Sequence, residues 1–190
     1  MTGKTHLAAG ILAATTYLSI TRQAELANIA AAGLGAIYGA LVPDIDAEYS
    51  IAKKYFKISS ALYSGLSFIS HKIRKNKSSF VHRGILHSFI IPAILGGLLW
   101  ITSSNSVLNC LILNTIMGLG THLLLDFMSS GISFFAPFSM KRIRLFIRIP
   151  TNGIVDHFIR ICCWGGCVYI VWQEPIPIVI ENFKSMIAQI

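Results

Sequence analysis

The chain has 190 residues, of which 54% are hydrophobic and only 13% are charged, about half the charged fraction of an ordinary soluble domain. This composition excludes a disordered chain, because too much apolar surface would remain in water. It also argues against a soluble globule, because so few charges cannot cover its exterior. The length favours one domain, and we predict a single membrane-embedded domain over residues 1–190.

Five apolar segments free of Asp, Glu, Lys and Arg follow one another along the chain, at residues 7–20, 29–42, 88–101, 107–125 and 161–172. A straight spanning helix needs about 20 residues, with a range of about 17–25, and only the fourth segment has that length without its flanks. We therefore predict an all-α, multi-pass transmembrane helical bundle with four to five spans. Glycines that allow close helix packing in lipid occur in the second and fourth segments, at Gly33, Gly35, Gly39, Gly118 and Gly120.

The basic residues are distributed unevenly between the two sides of such a bundle. Five spans place 14 of the 16 Lys and Arg residues on the side of the amino terminus, and only Arg22 and Lys184 on the other. Basic residues in short loops stay in the cytoplasm, so the sequence predicts a cytoplasmic amino terminus.

A basic cytoplasmic loop is predicted at residues 47–81, and seven of its Lys and Arg residues lie within residues 53–77. These charges either fix the topology alone or also hold anionic lipid headgroups at the surface. Aromatic residues between them favour an interfacial helix; they are Tyr55, Phe56, Tyr63 and Phe68. Membrane lipids are therefore the expected partners, and nucleic acid is not expected because the membrane already explains the charges.

The polar residues that could bind a metal lie at the predicted cytoplasmic ends of the spans. In chain order they are His6, Asp44, Asp46, His82, His87, His122, Asp126, Asp156 and His157. Helices in a bundle bring their same-side ends together, so these groups can converge without long loops. The sequence thus predicts one site at the cytoplasmic helix ends.

Two pairs illustrate the spacing. His122 and Asp126 are four residues apart, which places them on one face of a helix. Asp44 and Asp46 are two apart after the helix-ending Pro43, so in an extended chain both carboxylates point the same way. Each pair alone is also explained by a hydrogen-bonded pair or a solvated loop.

Taken together, these side chains favour a metal site, because imidazole and carboxylate are the ligands of zinc and neighbouring transition metals. Their number exceeds what one tetrahedral ion requires, so we predict one or two divalent ions, with zinc favoured over manganese or magnesium. The predicted ligands are His6, Asp44, Asp46, His82, His87, His122 and Asp126. Ser88 and Thr121 are candidates for orienting a ligand.

Five short segments of the chain resemble those of a known protein family. They are Thr5-His6, Pro43-Asp44-Ile45-Asp46, His82-Arg83-Gly84-Ile85-Leu86-His87-Ser88, Gly120-Thr121-His122-Leu123-Leu124-Leu125-Asp126 and Ala136-Pro137-Phe138-Ser139. Over roughly residues 1–160 the chain resembles the YdjM family, bacterial inner-membrane proteins described as metal-dependent hydrolases and associated with LexA regulation. The resemblance implies that this chain too is located in the inner membrane of a bacterial cell. That family is in turn distantly similar to zinc-dependent phospholipase C and P1-type nucleases. Those enzymes have a further His and a His-x-x-x-Glu, for which Asp156 and His157 are the nearest counterparts here.

The predicted function is a membrane-bound metal-dependent hydrolase that cleaves a phosphoester, in a phospholipid-like or other membrane-delivered substrate, with a metal-activated hydroxide. Arg83 is expected to meet a phosphate oxygen, although it could equally be one more basic charge of the cytoplasmic side. Asp46 is expected to assist as a ligand or as the partner of one. Two alternatives remain: a non-catalytic adaptor whose metal fastens helix ends, and a metal or ion transporter, which would need ionisable residues within the spans.

Overall fold

The computed structural model describes residues 1–23, 25–47, 50–73, 84–102, 104–145 and 149–173. Regular structure in these ranges is helical, apart from one isolated antiparallel bridge between Ile132 and Ile143. The α-helices in chain order are α1 Gly3–Thr21, α2 Leu26–Leu41, α3 Ile51–Tyr55, α4 Lys57–Ile73, α5 Ile90–Ile101, α6 Ser106–Ser129 and α7 Ile154–Gln173. Two short 3-10 helices, Val42–Asp46 and Ile85–His87, follow α2 and precede α5.

Local sequence signals explain several of these boundaries. The side chain of Asn105 caps α6 by accepting a hydrogen bond from the Leu108 amide at 2.9 Å, and Ser50 caps α3 in the same way. Helix α2 ends just before Pro43, which has no amide hydrogen to continue the helical ladder. The chain continues there as a 3-10 helix.

Three helices of the described ranges are long and apolar enough to cross a membrane, namely α2 with its 3-10 extension (Leu26–Asp46), α6 and α7. Helix α5 is apolar but has only 12 residues. Helix α1 has 19 residues, but it is not among these three candidate spans. The prediction of an all-helical protein with helices able to span a membrane is therefore confirmed for the described residues, and the predicted number of four to five spans stays a prediction.

Close packing of α2 on α6 forms the centre of the bundle. A Cβ atom at Gly35 or Gly39 would meet backbone carbonyl oxygens of α6, those of Leu111 and Thr115 respectively, and one at Gly118 would meet the backbone of α2. Backbones approach this closely only where side chains are absent. The other two glycines of the predicted set, Gly33 and Gly120, have nothing within 4 Å of such an atom and take no part in the contact.

The described part of the basic loop is helical and lies beside the 3-10 helix that follows α2. Phe56 packs edge-on against Tyr38 of α2, with ring centroids 5.4 Å apart, and Tyr63 joins the apolar cluster around Leu41 and Ile45. Burial, and after it the Asp46 carboxylate, raises the pKa of the Tyr63 phenol. Helices α3 and α4 are therefore fixed to the same end of the bundle as Asp44 and Asp46.

Candidate metal centre

Four predicted ligands meet at one end of the bundle. Asp44 comes from the 3-10 helix after α2, His87 from the 3-10 helix before α5, and His122 and Asp126 from α6. Each offers one ligand atom, and these four atoms all lie within 4.8 Å of one another. The two histidines are fully buried and Asp126 is 1% exposed, whereas the Asp44 side chain is 17% exposed. We call these residues the four-residue group.

The distances within the four-residue group fit a single cation. The Nε2 atoms of His87 and His122 are 3.2 Å apart, and each lies 3.7 Å from Asp44 Oδ1. Asp126 Oδ2 lies 3.6 Å from His87 Nε2. Two nitrogens that each lie about 2.0–2.1 Å from a tetrahedral zinc ion are about 3.3 Å apart. The two histidine nitrogens are thus spaced as two ligands of one cation are.

The backbone of α2 fixes the tautomer of His122. Its Nδ1 atom lies 2.7 Å from the carbonyl oxygen of Ala40, and a carbonyl can only accept, so Nδ1 carries the hydrogen. The last carbonyls of an α-helix lack an intrahelical partner, and Ala40 is in the last turn of α2 before Pro43. The unprotonated Nε2 therefore faces the other ligands, as a metal-binding histidine requires.

His6 adjoins the four-residue group without belonging to it. Its ring stacks on that of His122, with centroids 3.9 Å apart, and its Nε2 atom lies 3.2 Å from Asp126 Oδ1. Because Asp126 Oδ2 faces His87, this carboxylate presents its two oxygens to two different histidines. Helix α1 thus brings a third fully buried imidazole to the centre.

Asp46 lies outside the four-residue group. The prediction of an extended chain at Asp44 and Asp46 was wrong, because Val42–Asp46 is a 3-10 helix. Residues two apart in a 3-10 helix point about 120° away from each other around its axis. Asp44 therefore turns toward the histidines, and Asp46 toward Tyr63.

Two other predicted residues, His82 and Arg83, lie outside the described residues, as do parts of the loop 47–81, so their predicted roles stay predictions. Within the part of the chain that the structure describes, no contact supports the orienting role expected of Ser88 and Thr121. Their hydroxyls donate to the carbonyl oxygens of Ile85 and Gly118, three residues earlier in the chain, at 2.7 and 2.8 Å.

The first residues of the chain contact the site in a way that the sequence did not predict. The Met1 nitrogen lies 3.0 Å from both Asp126 Oδ1 and Ser129 Oγ. Ser129 is three residues after Asp126 on α6, so helical spacing was the available signal for its proximity. These contacts hold the residues before His6 against Asp126, a buried member of the four-residue group.

Asp156 holds this amino-terminal segment in place by hydrogen bonds and is not a member of the four-residue group. The buried Oδ2 atom accepts hydrogen bonds from the amides of Thr2 at 3.3 Å and Asn152 at 2.8 Å. The neighbouring His157 is exposed, and its Nδ1 atom lies 3.0 Å from the Gly153 carbonyl. Neither residue therefore stands in for the further ligands of the zinc nucleases within the four-residue group.

We expect Asp156→Ala to lower the free energy of unfolding by about 1–3 kcal/mol, because two amide donors would lose a buried charged acceptor. Thermal unfolding in detergent would measure this change, with His157→Ala as the neighbouring control of unchanged stability. Equal stability of the two variants would contradict the anchoring role.

The fold and the site define a class of protein: a helical membrane protein with a buried cluster of Asp and His that could bind a metal ion. The chain matches the family model described as YdjM inner membrane protein over residues 1–188, and it belongs to that family. No curated protein and no solved structure matches the chain. The predicted family and the inner-membrane location are confirmed, and the similarity to zinc-dependent phospholipase C and P1-type nucleases stays a prediction.

Proposed function

We propose that this protein is a membrane-bound, metal-dependent hydrolase that cleaves a phosphoester in a lipid or in another membrane-delivered substrate. The observation that supports it most is the four-residue group, in which two imidazoles and two carboxylates from three separate parts of the chain face one another within 4.8 Å. A cation held by this group would offset the repulsion between its two carboxylates.

The proposed ion is zinc, with manganese or magnesium as alternatives, since two imidazole nitrogens suit zinc better than they suit a hard, oxygen-preferring cation. Asp44, His87, His122 and Asp126 would hold the first ion. A second would be held by His6 and Asp126, and it would displace the Met1 nitrogen, which lies 3.0 Å from Asp126 Oδ1. Bound divalent ions supply activation of water at neutral pH and stabilisation of charge on a phosphate.

The proposed topology has four or five spans with the amino terminus and the metal centre in the cytoplasm. Helices α2, α6 and α7 would be three of these spans. Helix α1, and α5 together with its flanking residues, would add the others. The ligand-bearing end also carries α3 and α4, with Lys53, Lys54 and Lys57, and basic residues favour the cytoplasmic side.

The chain's own residues would divide the work at the site. Asp44 is the most exposed member of the four-residue group, so the substrate would approach from its side. The Ala40 carbonyl keeps His122 in the tautomer that leaves Nε2 free to bind. Arg83 would contact a phosphate oxygen and stabilise its developing charge. Asp46, which lies outside the four-residue group, would assist as the partner of one of the ligands.

Hydrolysis of bis(p-nitrophenyl) phosphate by the purified, zinc-loaded protein tests this proposal. We expect His87→Ala to lower the rate at least about 100-fold, as loss of a group that stabilises the transition state does. His157→Ala, an exposed histidine away from the four-residue group, should keep the full rate. Zinc-dependent turnover that His87→Ala leaves intact would contradict the proposal, as would absence of turnover in the loaded protein.

Burial favours a second candidate, in which metal only fastens helix ends in a non-catalytic adaptor. His6, His87 and His122 are fully buried, which is typical of closed structural sites. Here removal of zinc lowers the thermal midpoint, and no phosphoester is hydrolysed at full metal occupancy. Transport has no comparable support, because mid-span Asn114 is buried and donates to the Cys110 carbonyl at 2.8 Å.

A further inference from the structure

An apolar groove with a volume of about 180 Å³ lies between α2, α5 and α6. Its walls include Tyr38 and Pro43 from the α2 side, Ile91 and Leu95 from α5, and Leu119 from α6. The polar side chain of Thr115 also lines it, but that hydroxyl donates to the Leu111 carbonyl at 2.8 Å within its own helix. The groove therefore offers few partners to a polar ligand.

The groove runs toward the four-residue group along all three of its walls. At its near end the lining residues adjoin the ligands in sequence: Pro43 precedes Asp44, and Leu86 precedes His87. On α6 the lining residues are Thr115 and Leu119, followed by His122. At 1.5 Å per residue, Thr115 lies about 10 Å along the helix from His122. An elongated apolar group in the groove would thus end beside the ligands.

We propose that this groove binds one acyl chain of a membrane phospholipid and places its phosphate at the Asp44 edge of the four-residue group. The occupant follows from the surroundings, because α2 and α6 are long and apolar enough to span a membrane, where hydrocarbon chains would be the medium around a groove between them. An extended acyl chain fits a groove that is apolar along its length and ends at carboxylates and imidazoles. The choice of a phosphate-bearing lipid rests on the proposed function.

A second apolar groove, of about 390 Å³, is a useful comparison. It is lined by Leu124 and Phe127 of α6 and by Ile132, Phe134 and Ile143 of the segment that follows. That segment carries no member of the four-residue group. Of the walls of this larger groove, only α6 therefore carries members of the group. Volume by itself therefore does not select the acyl-chain site, whereas the arrangement of the ligands around the smaller groove does.

Photo-crosslinking of the unaltered protein tests the inference without any substitution. A phosphatidylcholine with a diazirine in one acyl chain, incorporated into vesicles with the full chain, is irradiated, and the labelled residues are identified by mass spectrometry. We expect labelling concentrated at Leu86, Ile91 and Leu95. Labelling concentrated at Phe134 and Ile143, or spread evenly over exposed apolar residues such as Leu34 and Trp100, would overturn the proposal.

A matched pair of variants on α5 provides a second measurement. Leu95→Trp fills the groove, whereas Ile94→Trp adds the same side chain at a position that is 57% exposed and does not line it. We expect Leu95→Trp to retain about tenfold less co-purified phospholipid in native mass spectra, since displacing two methylenes from an apolar groove has about that effect. Ile94→Trp should retain as much lipid as the unaltered protein.

Metal content and hydrolysis of bis(p-nitrophenyl) phosphate are measured on the same samples. We expect both to be equal in the two variants, because this soluble substrate has no acyl chain. Equal lipid retention by the two variants would overturn the groove and leave the hydrolase proposal standing. Lipid loss confined to Leu95→Trp in a protein without turnover would support the groove and contradict the hydrolase. If Leu95→Trp loses its metal, the crosslinking pattern of the unaltered protein decides.

Discussion

Replacing His122 or Asp126 with alanine is expected to abolish stoichiometric metal binding. Both side chains are buried members of the four-residue group, so either change removes one of its four ligand atoms. Loss of an outer partner of a ligand lowers metal affinity about 10–100-fold, and loss of the ligand itself should exceed that. Elemental analysis of the purified variants after dialysis against trace zinc would measure the change.

The same substitution at His157 serves as the control for His122. His157 is exposed at the start of α7, so His157→Ala should bind as much zinc as the unaltered protein. Asp126→Asn adds a finer comparison, because it keeps the volume of the side chain and removes only its charge. Unchanged zinc stoichiometry in both His122→Ala and Asp126→Ala would contradict a metal centre at the four-residue group.

Adding one methyl group to Gly39 is expected to separate α2 from α6. The new Cβ atom of Gly39→Ala would overlap the carbonyl oxygen of Thr115, a backbone atom that cannot move without its helix. Overpacking of this kind costs about 1–3 kcal/mol. Zinc affinity should fall as well, because α2 is followed by Asp44 and positions His122 through Ala40, whereas α6 carries His122 and Asp126.

Gly33→Ala is the matched control on the same helix. A Cβ atom there has nothing within 4 Å, and alanine stabilises a helix relative to glycine by about 0.5–1 kcal/mol. Thermal unfolding in detergent should therefore show a lower midpoint for Gly39→Ala and an equal or higher one for Gly33→Ala. Two variants with the same midpoint and the same zinc content would show that close α2–α6 packing does not hold the centre together.

The convergence of the ligands could be predicted from the sequence because it depends on topology alone. Polar residues at alternate ends of successive apolar segments must meet on one side once those segments become antiparallel helices. The i, i+4 spacing of His122 and Asp126 then required only that α6 be helical through both residues, which its apolar length ensures. The small-residue pair Gly35 and Gly39 likewise indicated a close contact, although not which helix it would meet.

The arrangement within the site depended on details that periodicity does not contain. A 3-10 helix and an extended chain both fit Pro-Asp-Ile-Asp, and the choice between them separates Asp44 from Asp46. The stacking of His6 on His122 and the Ala40 contact depend on how far α1 and α2 slide along α6, which side-chain packing determines. Asp156, expected to stand in for a ligand, instead holds the backbone of Thr2.

The wide spacing of the donors along the chain has a consequence for biosynthesis. Asp44 and His87 leave the ribosome well before His122 and Asp126, and Ala40 cannot set the His122 tautomer until α6 lies against α2. The four-residue group is therefore incomplete until α6 has been translated and inserted. Metal binding at the proposed centre would follow that step, and it could not guide the earlier steps of insertion.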